Sequence, residues 1–141
     1  MLRVVMDTNV VVAGLRSTKG ASFEILQALR RGEWRCILSN HLLMEYQEKL
    51  LEMVGSLVAT AAEVDGMLTV ICAHAEEWQL RPDWHPVLAH DPDDEPLAQL
   101  AHESGANAVV THNVRHLLQA EGLGIKILRP RDFLLILRSE N

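Results

Sequence analysis

The sequence lacks the excess of positive charge that is typical of proteins that coat nucleic acids. Its 141 residues include 13 lysines and arginines against 19 aspartates and glutamates, for a net charge of −6. A passive DNA- or RNA-coating protein normally carries a basic electrostatic footprint, so this class is disfavoured. An enzyme that acts on phosphodiesters through metal ions is not excluded, because the metal sites of such enzymes are themselves acidic.

Other absences narrow the class further. No apolar run approaches the roughly 20 residues that span a bilayer, and Met1-Leu2-Arg3 leads directly into the first predicted strand. We therefore expect a cytoplasmic protein without a signal peptide or membrane anchor. The two cysteines, Cys36 and Cys72, lie in apolar settings without CxxC spacing. We expect both to be buried free thiols.

The order of the predicted elements indicates an α/β fold. The length and the 48% apolar content suit one domain with a real core, which we assign to residues 1–141. Strands alternate with helices over short connections, which predicts a parallel sheet covered on both faces, a three-layer α/β/α sandwich. Strands are predicted at 2–6, 34–38, 106–111 and 125–128, with an edge strand in the loop 78–90. Helices are predicted from 10, from a cap at Ser22, and at 41–53, 59–75, 97–105, 114–120 and 131–138.

Asp7 has the most informative position in the chain. It ends the apolar run Leu2-Arg3-Val4-Val5-Met6 and begins the polar triplet Asp7-Thr8-Asn9. A carboxylate at the end of a buried strand is costly to desolvate unless it meets a cation, a metal or hydrogen-bond donors. In open α/β sheets, ligands bind beyond the carboxyl ends of the strands. Asp7 is therefore the first candidate ligand of an acidic metal site.

Other polar side chains are predicted at the same edge of the sheet. Glu45 lies in the helix after the second strand, Asp94 lies at a helix start beside Asp91 and Asp93, and Asn113 follows the strand that ends at Thr111. Because the carboxyl ends of parallel strands share one edge, these residues can meet. Such oxygen ligands suit Mg²⁺ or Mn²⁺.

Each of these features also has an ordinary structural interpretation. Taken alone, Glu45 is better explained as a helix-surface partner of Lys49, four residues further on. The acids from Asp91 to Glu95 can cap a helix and complement its dipole. The segment from Thr111 to Asn113 can be a simple turn. The apolar helix 59–75 is explained equally well as a dimer face and as ordinary core packing.

The chain resembles the PIN-domain family, in particular a bacterial branch described as toxin components of toxin–antitoxin pairs. No single motif is specific, but the set in this order is. The matching segments are Val4 to Val12, Ser39 to Leu50, Asp91 to Glu95 with its helix, Val109 to Leu117, Gly124 to Pro130 and Asp132 to Leu134.

The resemblance implies a sandwich with a central five-stranded parallel sheet and a Mg²⁺- or Mn²⁺-dependent endoribonuclease acting on RNA. Asp7 would bind the metal directly, with Thr8 and Asn9 orienting it and its neighbours. The resemblance also favours Glu45 as the second acid over its pairing with Lys49. The third acid would be Asp94, eleven residues before Gly105, with Asp91 as the fallback. A homodimer and a cognate antitoxin are implied partners.

The chain departs from the family pattern at Asn113, where many PIN domains have aspartate. Asparagine keeps a carbonyl oxygen but lacks a charge, which weakens attraction for a second divalent ion. We therefore expect one firmly held metal, with Thr111 and Asn113 tuning the site. The alternative is an attenuated PIN-fold module that binds RNA or a protein. Candidates for contacts with RNA phosphates are Arg16, Lys19, Arg115 and His116.

Overall fold

Five short strands and seven α-helices alternate along the residues described by the computed structural model, 1–88 and 91–140. The strands are β1 Arg3–Met6, β2 Arg35–Leu38, β3 Ala75–Glu77, β4 Ala108–Val110 and β5 Ile127–Leu128. The helices are α1 Thr8–Arg16, α2 Ala21–Arg30, α3 Asn40–Gly55, α4 Ala61–Ala73, α5 Glu95–Ser104, α6 Val114–Leu117 and α7 Pro130–Glu140. Short 3₁₀ segments cover Pro92–Asp94 and Leu118–Leu123.

The strands form one parallel sheet in the order β3-β2-β1-β4-β5. The central strand β1 pairs with β2 on one side and β4 on the other, with Val5 opposite Val109. Val4, Val5 and Met6 have no exposed surface, as expected for a strand that is covered on both faces. The predicted α/β/α sandwich with a five-stranded parallel sheet is confirmed.

A hydrogen bond and an aromatic contact hold α2 and α7 beside the sheet. The indole of Trp34 is buried and donates a hydrogen bond to the carbonyl oxygen of Ile25 in α2 at 2.8 Å. Its ring meets that of Phe133 in α7 edge to face, with centroids 5.1 Å apart. Buried indole groups need such a hydrogen-bond partner, so both helices are fixed relative to β2.

The start of α2 differs from the predicted cap at Ser22. Gly20, with φ of +104°, is the N-cap residue, and α2 begins at Ala21. Ser22 is buried inside the first turn, where its hydroxyl lies 3.0 Å from Nε2 of His112. Glycine tolerates positive φ, so the chain enters the helix at Gly20, two residues before the predicted cap. The prediction of a cap at Ser22 is therefore wrong.

The predicted helix 59–75 is too long, and the edge strand lies elsewhere. Thr60 and Glu63 form a capping box that starts α4 at Ala61, and the helix ends at Ala73. The edge strand is β3, at Ala75–Glu77, before the predicted loop, and residues 78–88 contain no strand. The rest of that loop, including His90, lies outside the described residues.

The apolar stripe of α4 is buried within this chain. Val64, Met67 and Ile71 belong to the core, as the core-packing interpretation expects. Cys72, on the outer face, is exposed, so the prediction of two buried thiols is wrong for this residue and holds for Cys36. Among the described residues, no helix combines the length and apolarity needed to cross a membrane.

Gly14 permits the close approach of α1 to α2. A Cβ atom there would lie 2.2 Å from Cδ1 of Leu26 and 3.2 Å from the carbonyl oxygen of Ser22. We predict that Gly14→Ala lowers the free energy of unfolding by about 1–3 kcal/mol, because the added methyl overpacks this contact. Denaturant unfolding measures the change.

Gly66 in α4 provides the matched control, since its added Cβ would meet nothing within 4 Å. Gly66→Ala should raise stability by up to about 1 kcal/mol through helix propensity. If Gly14→Ala were as stable as Gly66→Ala, the packing constraint between α1 and α2 would be refuted.

Candidate active site

Asp7 lies where β1 ends and α1 begins, beside the end of β4. Its backbone N–H donates to the carbonyl oxygen of Val110 at 2.9 Å, which extends the pairing of β1 with β4 by one residue. The residue is only 8% exposed, and its Oδ2 accepts a hydrogen bond from the hydroxyl of Thr111 at 2.7 Å. Burial raises the pKa of Asp7, the Thr111 hydroxyl lowers it, and the charge of Glu45 raises it.

Thr111 and the residues after it organise the neighbouring strand end. Thr111 is fully buried, and its Oγ1 also accepts a hydrogen bond from the backbone N–H of Asn113 at 3.0 Å. The side-chain oxygen of Asn9 accepts from the backbone N–H of His112 at 3.3 Å. Asn113 itself is exposed at the start of α6. The segment 111–113 thus bends at His112, and its hydrogen bonds reach both Asp7 and Asn9.

Glu45 projects from α3 toward the same edge. The hydroxyl of Thr8 donates to its Oε2 at 2.6 Å. The next residue, Tyr46, is fully buried and donates to the carbonyl oxygen of Met6, the last residue of β1. Lys49 does not pair with Glu45 and lies 3.7 Å from Glu52. The interpretation of Glu45 as a helix-surface partner of Lys49 is therefore wrong.

Asp94 shares its surroundings with the other acids. Burial raises its pKa to about 6, and the charges of Asp7, Asp91 and Glu45 raise it too, while His116 opposes them. The charges of Asp7 and Glu45 act on Asp94, so these three carboxylates, which come from three different elements, lie near enough to influence one another.

His116 lies inside this acidic cluster. Its Nδ1 is 2.8 Å from Oδ1 of Asp91 and 3.9 Å from Oδ2 of Asp94. Candidate ligand atoms of these three residues lie within 4.8 Å of one another. His116 therefore faces carboxylates, whereas the sequence suggested a contact with RNA phosphate. Asp91 is closer to His116 than Asp94 is.

The acids of residues 91–95 serve different purposes. Neither Asp91 nor Asp94 makes a side-chain capping hydrogen bond at the helix start that follows it. Glu95 is structural: its carboxylate accepts hydrogen bonds from the backbone N–H groups of Val87 and Leu88 and from the indole of Trp84. The capping interpretation therefore does not explain Asp91 and Asp94.

A cavity of about 770 Å³ opens beside Asp7, between α1, the start of α2 and the start of α7. Asp7 is the only acidic residue on its wall, as far as the described residues show. The cavity includes Arg16 and Lys19, two of the predicted phosphate contacts, but not Arg115 or His116. The basic side chains on its wall are those of Arg16, Lys19, Lys49, Arg129 and Arg131.

Sequence reasoning missed three of these cations. Lys49 was interpreted only as a partner of Glu45. Arg129 and Arg131 flank Pro130 directly after β5, and this position at a strand end was the available signal. Residues of this kind collect at the carboxyl edge for the same topological reason as the acids.

The donor set is chemically suited to a divalent cation. Asp91, Asp94 and His116 offer ligand atoms within 4.8 Å of one another, and Asp7 and Glu45 add carboxylates whose charges act on Asp94. Mutually repelling carboxylates are costly in a partly buried site, and a bound cation offsets that cost. Oxygen donors favour Mg²⁺ or Mn²⁺, and imidazole broadens the choice to softer transition metals.

A parallel α/β/α sandwich with an acidic cluster at the carboxyl edge of its sheet defines the class of this protein. The chain belongs to the PIN-domain family: the family's sequence model matches residues 3–115. PIN domains are generally metal-dependent nucleases that bind RNA, so the fold is a nuclease fold. No curated protein matches the chain.

The raised pKa of Asp94, caused chiefly by burial, leads to a prediction about the metal-free protein. Its carboxyl holds a proton up to about pH 6 in the fold, against an ordinary pKa of 3.8. Ionisation therefore costs stability, which should fall as the pH rises from about 4 to 6. We predict that Asp94→Asn raises the free energy of unfolding at pH 8 by on the order of 1–2 kcal/mol.

Thermal or urea unfolding in EDTA measures this effect, and at pH 4 the variant and the native protein should differ little. Asp93→Asn, an exposed neighbour in the same 3₁₀ segment, is the matched control. An equal gain from Asp93→Asn, or a gain from Asp94→Asn that is unchanged at pH 4, would contradict the electrostatic origin.

Proposed function

We propose that this protein is a Mg²⁺- or Mn²⁺-dependent endoribonuclease that hydrolyses RNA phosphodiesters. The observation that carries the proposal is that Thr111 and Thr8 hold the carboxylates of Asp7 and Glu45 at the carboxyl ends of the central strands, beside the acidic cluster that contains Asp94. Membership of the PIN-domain family supports it. The basic cavity that opens beside Asp7 supplies local attraction for phosphate in a chain whose net charge is −6.

Each residue has a distinct role in this proposal. Asp7, Glu45 and Asp94 would hold the cation, with Asp91 beside Asp94. Thr111 fixes Asp7 in one orientation, Thr8 does the same for Glu45, and both hydroxyls are donors to carboxylate oxygens. A bound divalent ion supplies Lewis acidity and lowers the pKa of its water ligand. Removing a donor that orients a metal ligand typically lowers metal affinity or activity 10- to 100-fold.

Asn113 favours a site with one firmly held cation. Its amide oxygen is neutral, and the residue is exposed beyond Thr111. Basic groups beside the carboxylates include His116 and those on the wall of the cavity that Asp7 lines. A second divalent ion would therefore depend on the charge of the substrate phosphate.

We predict that the purified protein cleaves single-stranded RNA in the presence of Mn²⁺, as followed by gel analysis of end-labelled RNA. Asp7→Asn, Glu45→Gln and Asp94→Asn should each reduce the rate by at least about 100-fold, since each removes a proposed ligand. Because a proton on Asp94 competes with the cation, the rate at subsaturating Mn²⁺ should rise as the pH increases up to about 6.

Asp65→Asn, an exposed carboxylate on α4, is the control and should retain the activity of the native protein. Equal cleavage by Asp7→Asn would refute the assignment and indicate a contaminating nuclease. If calorimetry detected no Mn²⁺ binding in the millimolar range, the second candidate function, an RNA- or protein-binding module, would replace the first. The neutral side chain at Asn113 is the observation that favours this alternative.

The finer role that we propose is that of a toxin paired with a cognate antitoxin, in a homodimeric form. Its support is the resemblance to the toxin branch of the family. The buried stripe of α4 lends no support to a dimer through that helix. The oligomeric state is measured by sedimentation of the purified protein.

A toxin of this type should arrest growth when it is expressed in a bacterial host without its partner gene. We predict arrest by the native chain and normal growth with Asp7→Asn at the same expression level, because the arrest depends on RNA cleavage. Co-expression of the neighbouring gene should restore growth. Arrest by Asp7→Asn would argue that the chain harms cells by a route other than catalysis.

A further inference from the structure

The basic side chains of the cavity lie apart from most of the acidic side chains. A metal site alone does not require this separation. The chain carries 19 acidic side chains, yet Asp7 is the only one on the cavity wall within residues 1–88 and 91–140. Five basic side chains face the same space. A surface whose local charge opposes that of the whole chain concentrates ligands of the opposite sign, in this case anions.

The five cations come from three separate parts of the fold. Arg16 and Lys19 lie at the end of α1 and in the following loop, and Lys49 lies on α3. Arg129 and Arg131 lie on both sides of the first residue of α7. Local sequence composition therefore does not explain the grouping, which arises only in the folded chain.

Most of these cations are available to a ligand. Lys49 is 3.7 Å from Glu52, whereas Arg16, Lys19, Arg129 and Arg131 form no ion pair with any residue that the structure describes. Arg129 and Arg131 are both exposed. Unpaired guanidinium groups bind phosphate through two parallel hydrogen bonds, a geometry that lysine cannot form.

The cavity has the size and position for a segment of a polynucleotide. Its volume of about 770 Å³ lies in the range that encloses a small organic ligand. Val12, Ala13 and Pro130 provide apolar surface on the wall, against which sugar and base can pack. Because Asp7 lies on the same wall, an RNA strand bound in the cavity would lead directly to the carboxylate cluster.

We propose that this cavity is the binding channel for the RNA segment next to the cleaved bond, with Arg129 and Arg131 holding its phosphates on one side and Arg16 and Lys19 on the other. The proposal rests on the proposed function, since it names how the substrate reaches the carboxylates. It assigns to Arg129 and Arg131 a role in affinity for RNA, separate from the acids that hold the cation.

The test measures binding without cleavage. Fluorescence anisotropy with a labelled 12-nucleotide single-stranded RNA in EDTA compares the native protein with Arg129→Gln/Arg131→Gln. At about 100 mM salt we expect binding to weaken by about 10-fold or more. The slope of log Kd against log salt concentration should fall by about 1.4, or 0.7 for each lost phosphate contact on a single strand.

Lys126→Gln/Arg138→Gln is the matched control, because it removes two exposed cations near the same elements but outside the cavity wall. It should leave the affinity within about threefold of native and the slope unchanged. Arg16→Gln/Lys19→Gln, on the opposite wall, should reproduce the loss seen with Arg129→Gln/Arg131→Gln. Thermal unfolding checks that all three double variants fold.

The outcomes separate this proposal from the proposed function. Equal weakening by the control and cavity variants, or native affinity and slope in both cavity variants, would overturn the channel even if the native protein cleaves RNA. Selective weakening by the cavity variants would support it even if the native protein fails to cleave, in which case the nuclease assignment alone would fall.

Discussion

The parallel pairing of β1 with β4 is the constraint on which the site depends. It places the carboxyl ends of these strands side by side, so that Asp7 and Thr111, 104 residues apart in sequence, share a hydrogen bond of 2.7 Å. The hydroxyl of Tyr46 reaches the carbonyl oxygen of Met6 from α3, which fixes the neighbouring Glu45 at the same edge. A change of register between β1 and β4 would separate Asp7 from its donor, since every side chain on a shifted strand changes its face.

The carboxylates at this edge are held together at a cost in stability. The pKa of Asp94 is raised to about 6 and that of Asp7 is also raised, in each case chiefly by burial, with repulsion between the acids adding to it. The hydroxyls of Thr111 and Thr8 donate to the proposed ligands Asp7 and Glu45, and the backbone N–H groups of Thr8 and Asn9 also donate to Asp7. Without a cation the carboxylates repel one another. Cation binding removes this repulsion, and the relief contributes to the affinity of the site for the cation.

The sequence was sufficient for the elements with a strong local signal. The apolar run before Asp7 specifies a buried strand locally, and the alternation of strands and helices specifies the parallel sheet. Strand β3 could not be found in this way, because Ala75-Glu76-Glu77 has no apolar pattern and becomes a strand only by pairing with β2. The contact of Glu45 in α3 with Thr8 in α1 could not be predicted for the same reason, because it has no signal within the sequence of α3.

The separation of the acidic cluster from the basic cavity at the carboxyl edge of the sheet is related to the same topology. Loops that leave the carboxyl ends of parallel strands converge, so the acids after β1 and before α5 lie near one another, and the cations after β5 line a cavity that includes Asp7. The acids would hold a cation and the basic groups would hold the anionic chain that this cation acts on. Uniform positive charge would draw RNA to the protein but would oppose the binding of a divalent ion. Segregation of the charges at one edge allows both, so the net charge of −6 is compatible with an enzyme that acts on RNA.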